Sequence, residues 1–199
     1  MAEIDINDIR KNYERMSDFQ IERIATENAK GLRYEVFGII EEEIKKRNLD
    51  PKLLEQAMAQ NKEYSIDQIE NFSKVLQNLP CPICRSKTKK LNGTFSYTVK
   101  SFIFFTSQRM EISVACPTCL DKINSDAMIS TAILGWWGIP WGIFKTPLYI
   151  YRNFKQKTQN NLEFPNEALF SFSFQNASEI EVYINDQNKL INVIKRKAT

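Results

Sequence analysis

Apolar residues in the first eighty positions recur three and four apart, the period of helices that bury one face. Ser17 and Gln20 stand at capping-box spacing ahead of Phe19, Ile21, Ile24 and Ala25, and Gly31 ends that run. Val36, Ile39, Ile40 and Ile44 make a second stripe. Asp50-Pro51 supplies an N-cap and a first helical residue. Ser65 with Gln68 repeats the capping box ahead of Ile66, Ile69, Phe72, Val75 and Leu76, and Pro80 stops the run. Residues 1–79 therefore read as a helical module of four short helices. Mutual packing of the stripes is the plain expectation; a groove for a partner helix is the alternative.

The period changes after Pro80. Lys89-Lys90-Leu91, the β-rich stretch Thr94–Phe105 and Met110–Ala115 read as strands, with Asn92-Gly93 as a hairpin turn between the first two. Residues 80–122 are thus expected to form a small three-stranded β ribbon. The segment 123–155 follows, and from 127 to 144 it holds no charged side chain. Its Trp/Gly-rich middle suggests an apolar helical hairpin. Gln156–Asn161 reads as a polar linker. In 162–199 the apolar residues fit helical spacing (Leu169, Phe172, Ile180, Tyr183) and strand alternation (Phe170, Phe172, Phe174), so this C-terminal element is a helix or a β-hairpin. The fold class is α+β.

Cys81-Pro-Ile-Cys84 and Cys116-Pro-Thr-Cys119 use every cysteine in the chain. Two residues between paired cysteines let both sulfurs turn toward one point, and backbone N–H groups of such a knuckle can donate to the thiolates. Two knuckles give four thiolates around a tetrahedral ion. A closed Cys₄ site of this kind is structural, and zinc is the expected metal, with iron fitting the same ligands. A dithiol redox role is the competing reading, but no thioredoxin-like βαβ setting accompanies the motifs. About forty residues bury little core unaided, so a metal would hold the ribbon together.

Arg85, Lys87, Lys89 and Lys90 lie close to the first knuckle, and Phe95, Tyr97, Phe102, Phe104 and Phe105 follow nearby. Basic residues interleaved with aromatics would suit single-stranded nucleic acid. A solvated basic face over an aromatic ribbon core is the other reading.

All three tryptophans and three of the six glycines fall in Gly135-Trp-Trp-Gly-Ile-Pro-Trp-Gly142. A single span is disfavoured by Gly138 and Pro140, and by Lys145, Arg152, Lys155 and Lys157, which favour the same side as the ribbon. A shallow hairpin resolves that conflict. One apolar limb enters, the Trp/Gly stretch turns near the headgroups, and a second limb from about Ile143 to Phe154 lies along the interface. Trp136, Trp137 and Trp141 would contact the membrane, with Lys145 and Arg152 meeting anionic lipid. The competing expectation is that this segment forms the core of a soluble domain.

With 43% hydrophobic and 26% charged residues, the composition is that of a folded domain. Charge is divided: residues 1–80 hold 12 basic and 16 acidic side chains, and residues 81–199 hold 15 and 8. The overall +3 would fall to about +1 with one divalent ion on four thiolates. The chain contains no histidine, which excludes Ser-His-Asp and Cys-His nucleophile systems and His-ligated catalytic zinc. Phosphate-cradling glycine loops are missing, and Glu41-Glu42-Glu43 reads as a solvated helix face. The acidic start Met1-Ala2-Glu3-Ile4-Asp5 precedes no apolar run, so the cysteines are expected in a reducing cytoplasm.

The combination of a helical start, the pairs Cys81–Cys84 and Cys116–Cys119, the Gly135–Gly142 segment and Thr146-Pro147 resembles a group of bacterial proteins with no assigned activity. The resemblance spans roughly residues 10–155 and implies architecture, not reaction type. The knuckles separately resemble those of zinc ribbons and rubredoxins. The expectation is a non-enzymatic zinc-ribbon protein, an adaptor or scaffold. It would sit peripherally or monotopically on the inner face of the cell membrane, its helical module binding a protein partner. No small-molecule substrate is evident. The alternatives are a soluble nucleic-acid-binding zinc ribbon and a dithiol oxidoreductase.

Overall fold

The structure is a computed structural model that describes residues 5–103 and 105–197. Met1–Ile4 and Phe104, which entered the expectations above, lie outside the described residues. Among the described residues the chain forms ten helices and one two-stranded antiparallel sheet, so the α+β class stands while the three-stranded ribbon does not. Two compact units result. One takes the described residues up to Tyr64 together with Ser178–Val182, and the other takes Ser65–Ala177 with the chain from Tyr183 onward.

The first unit is built from α1 (Ile6–Glu14), α2 (Asp18–Glu27), α3 (Tyr34–Lys46), α4 (Lys52–Ala59) and most of α9 (Ala177–Val182). The capping box expected at Ser17 and Gln20 forms, with Gln20 N–H donating to Ser17 Oγ and Ser17 N–H to Gln20 Oε1. Asp50 caps the start of α4 by accepting from Lys52 N–H at 3.0 Å. The apolar stripes pack on one another around Ile21, Ala25, Phe37, Ile40 and Leu53. A partner-helix groove is therefore not needed to explain them. Helix α1 was not anticipated. Asp5 caps it, and Arg47 donates to the carbonyls of Tyr13, Glu14 and Met16 at its far end while pairing with the buried Glu43.

In the second unit α5 (Ile66–Gln77), opened by the Ser65/Gln68 capping box, packs on α8 (Glu167–Gln175), where Ser73 and Ser173 hydroxyls meet at 2.9 Å. Strands β1 (Asn92–Phe102) and β2 (Phe105–Ala115) pair in register from Asn92↔Ala115 to Phe102↔Phe105. The chain therefore reverses near Ile103 and not at Asn92-Gly93. An added Cβ at Gly93 would lie 2.3 Å from the Leu169 backbone nitrogen, so this glycine serves the close approach of α8 to the strand. Asn92 is buried and donates to the carbonyls of Leu162 and Phe164. Both residues are committed to packing, which leaves Lys89–Leu91 without a strand to pair.

Helices α6 (Pro117–Leu134) and α7 (Trp141–Gln159) form a hairpin over the open edge of β1. A two-stranded sheet leaves alternate N–H and C=O groups of β1 without strand partners. Side chains take their place. Gly93 exchanges hydrogen bonds with Asn166, Phe95 O accepts from Asn124, and Tyr97 exchanges bonds with Asn153 at 2.9 and 2.6 Å. Val99 N–H donates to Thr131 Oγ1. The face that α7 turns to the sheet is consequently polar, and on α6 Asn124 and Thr131 are buried beside Leu120 and Ala127. The expected linker also disappears: α7 runs to Gln159, and Asn160 is buried, donating to Asp121 and Asn124. The C-terminal region is helical, as α8, α9 and α10 (Gln187–Lys197), with Leu169, Phe172, Leu190 and Ile194 inside.

Candidate metal centre and exposed apolar surface

Cys81 and Cys84 sit in the loop between α5 and β1, and the bond from Arg85 N–H to Cys81 O closes the first knuckle. Arg85 holds a left-handed conformation, φ 61°, where a glycine would be unstrained. The second knuckle is not a ribbon turn. Cys116 is the N-cap of α6, Pro117 its first residue, and Cys119 lies in its first turn. Four sulfur atoms from these two places lie within 4.8 Å of one another, with Cys84 Sγ and Cys116 Sγ 3.6 Å apart. Tetrahedral Zn–S bonds of about 2.3 Å place sulfurs about 3.8 Å apart. Disulfide sulfurs sit at about 2.0 Å, and all four cysteines are free thiols. The donor set thus fits a metal ion.

Local electrostatics favour a thiolate at Cys81 and oppose one at Cys116 and Cys119. Burial pushes the Cys81 thiol up, but backbone N–H groups of Cys116, Cys84 and Ile83 outweigh it and bring Cys81 down to about 7. Cys116 N–H reaches Cys81 Sγ at 3.4 Å. Burial raises Cys116 and Cys119, the latter further lifted by the neighbouring sulfurs. Four thiols cannot ionise side by side without a cation between them. A divalent ion removes that conflict, and the N-terminus of α6 adds a favourable dipole.

Arg85, Lys87, Lys89 and Lys90 are exposed beside the first knuckle. They are not interleaved with the exposed aromatics. Phe102 and Phe105 lie at the other end of an eleven-residue strand pair, about 30 Å away at strand rise.

Those two rings belong instead to a surface that the sequence reading assigned to separate features. Ile103 bridges to Gly138, which joins the hairpin end to the Trp/Gly segment. A Cβ at Gly138 would fall 2.6 Å from Thr106 Oγ1, at Gly142 2.4 Å from Gly135 O, and at Gly135 2.5 Å from Thr131 O. The glycines let the chain pack closely, against backbone at Gly135 and Gly142 and against the Thr106 and Ser101 side chains at Gly138, and the tryptophan rings stay outside. Trp136, Trp137 and Trp141 are 45, 68 and 61% exposed. A packed tryptophan core, the competing expectation, is not what this segment forms.

The exposure continues along both helices. Ile129 and Ile133 on α6, and Trp141, Phe144, Leu148, Tyr151 and Phe154 on α7, face outward, while Asn124, Thr131, Thr146 and Asn153 are buried. This is the reverse of an ordinary surface helix. Lys145 Nζ lies 5.3 Å from the Trp141 ring centre, and Arg152 lies 5.5 and 5.3 Å from the rings of Tyr97 and Tyr149. No acidic residue occurs from 127 to 162. The Arg152 stack escaped sequence reasoning because it joins α7 to β1 across 55 positions of sequence. The buried polar face did leave a signal: Asn124 and Thr131, and Thr146, Asn153 and Asn160, recur every seven residues.

Among the described residues, no helix is long and apolar enough to cross a membrane. No family model matches the chain, and no curated protein or solved structure matches it.

Proposed function

We propose that this chain is a non-enzymatic, zinc-stabilised adaptor that docks on the cytoplasmic face of a membrane through α6, α7 and the β1–β2 hairpin end. The observation that carries this reading is the inverted amphipathicity of α7 and the second half of α6, apolar outward and polar inward. Contiguous exposed apolar surface on this scale marks a partner or a lipid surface. Cations without intervening carboxylates favour an anionic lipid surface over an acid-bearing protein face. The short length of the apolar stretches supports lying in the interface over spanning. Zinc is the metal we assign to the four thiolates, in a structural role, because the donor set leaves no open position for a substrate. The first unit keeps Phe19 and Tyr34 exposed outside its own core, and these are the positions we assign to a protein partner.

The test is fractionation of the full-length protein in cells, with alkaline carbonate and detergent washes. Deleting α6 or α7 would uncover the edge of β1, so the comparison uses Phe102→Ser, Trp137→Ser and Phe144→Ser together, three exposed positions. The expected result is membrane retention of the native chain and release of the folded triple variant. A native chain that fractionates as freely soluble would refute docking, and nucleic-acid binding through Lys87, Lys89 and Lys90 would be measured next.

A further inference from the structure

Beside the outward stripe of α7 lies a groove of about 630 Å³ between β1, β2, α7 and α8. Its apolar wall is Phe95, Tyr97 and Met110, and its cations are Arg152 and Lys155. Arg152 lies against the Tyr97 and Tyr149 rings, which themselves meet edge to face at 5.9 Å, and the Tyr149 hydroxyl donates to Gln108 at 2.7 Å, fixing that ring. Among the described residues neither Arg152 nor Lys155 has a carboxylate within ion-pair distance. Glu167 also lines the groove. It leaves the lining with two cations and one acid. An arginine that rests on aromatic rings and has no carboxylate partner keeps N–H groups available to grip a phosphate.

Arg152 falls about a quarter turn from the apolar stripe, on the border between the exposed and buried faces. A helix lying in a membrane interface places cations at that border level with lipid phosphates. The Phe95–Met110 wall then offers apolar contact to the glycerol and upper acyl region of the same molecule.

We infer that this groove, with Arg152 and Lys155 as its cationic grip and Tyr97 and Tyr149 as the platform for Arg152, binds the phosphate headgroup of an anionic phospholipid. The inference rests on the membrane-docking reading above and assigns the lipid class recognised at that surface.

The experiment is flotation of the zinc-loaded full chain with vesicles of phosphatidylcholine alone and with vesicles in which a third is replaced by phosphatidylglycerol. The native chain binds both, with a preference for the anionic vesicles on the order of tenfold. Arg152→Gln with Lys155→Gln removes the preference and leaves binding to neutral vesicles. A charge-matched control, Lys87→Gln with Lys90→Gln beside the knuckle, keeps it. Persistence of the preference in the groove variant, or equal loss in the control, overturns the headgroup site in favour of diffuse attraction while docking stands. Release from anionic vesicles by millimolar glycerol 3-phosphate would assign the groove to a soluble phosphate ester and likewise overturn it. Absence of flotation with either vesicle refutes the docking reading itself.

Discussion

Gly93 and Gly38 make opposite demands on the backbone, although a propensity scale scores them alike. An added Cβ at Gly93 would lie 2.3 Å from Leu169 N and 2.6 Å from Ala168 C, both main-chain atoms that cannot rotate away. Gly93→Ala must therefore push α8 off β1, and overpacking of this kind costs about 1–3 kcal/mol. Gly38 sits within α3, and a Cβ added there would meet nothing inside 4 Å. Gly38→Ala is expected to stabilise by about 0.5–1 kcal/mol, the helix-interior difference between the two residues. Thermal melts of the two variants should move in opposite directions. A neutral Gly93→Ala would mean that α8 is not seated against β1 as described.

The helical hairpin α6–α7 inverts the usual relation between polarity and stability. Asn153 bonds both the N–H and the C=O of Tyr97 on the strand edge that no third strand covers. Asn153→Leu leaves the Tyr97 N–H without a partner and its C=O with only the Thr131 hydroxyl at 3.5 Å, a loss of about 1–3 kcal/mol. Ile133→Gln, at an outward position that is 61% exposed, is expected to change stability by less than about 0.5 kcal/mol. Chemical denaturation of the two variants checks this; equal losses would refute the inversion. The same hairpin explains which parts of the fold were legible. Helices α2, α3 and α4 announce themselves because caps and apolar stripes are local, as at Ser17–Gln20, whereas α1 does not. The four cysteines were legible because thiolate spacing follows metal chemistry, although the second knuckle proved to be the start of α6. The two-stranded sheet was not. Asn92-Gly93 has turn chemistry in isolation, and only the approach of α8, 73 positions along the chain, puts it in a strand. Nor could periodicity reveal that the polar stripe of Asn124, Thr131 and Asn153 faces inward, because the strand edge that it satisfies is a tertiary feature.

At the scale of the whole chain, the metal ligands and the helical core lie in different compact units. Cys81, Cys84, Cys116 and Cys119 all belong to the second unit, where they tie the loop before β1 to the junction of β2 and α6. The first unit contains none of them, and its core around Ile21, Phe37 and Ile40 forms between its own helices. Metal removal should therefore act unevenly. The four-thiolate arrangement carries folding free energy only while a cation holds it, and without one burial drives Cys116 and Cys119 toward protonation. Cys84→Ser and Cys119→Ser are each expected to lower bound zinc from one ion per chain to a small fraction, measured by metal analysis of purified protein. Chelation of the native chain is then expected to speed amide exchange along Gly93–Val99 and in the first turns of α6. Amides of α2 and α3 should keep their protection. Exchange resolved by residue reads both regions in one sample. If the amides of Ile21 and Ile40 open together with those of β1, the two units form one cooperative structure, and the zinc site stabilises the chain as a whole. If β1 alone opens, the metal is a local clamp. Its loss would then loosen the sheet edge that carries α6 and α7, and with it the apolar surface assigned to the membrane.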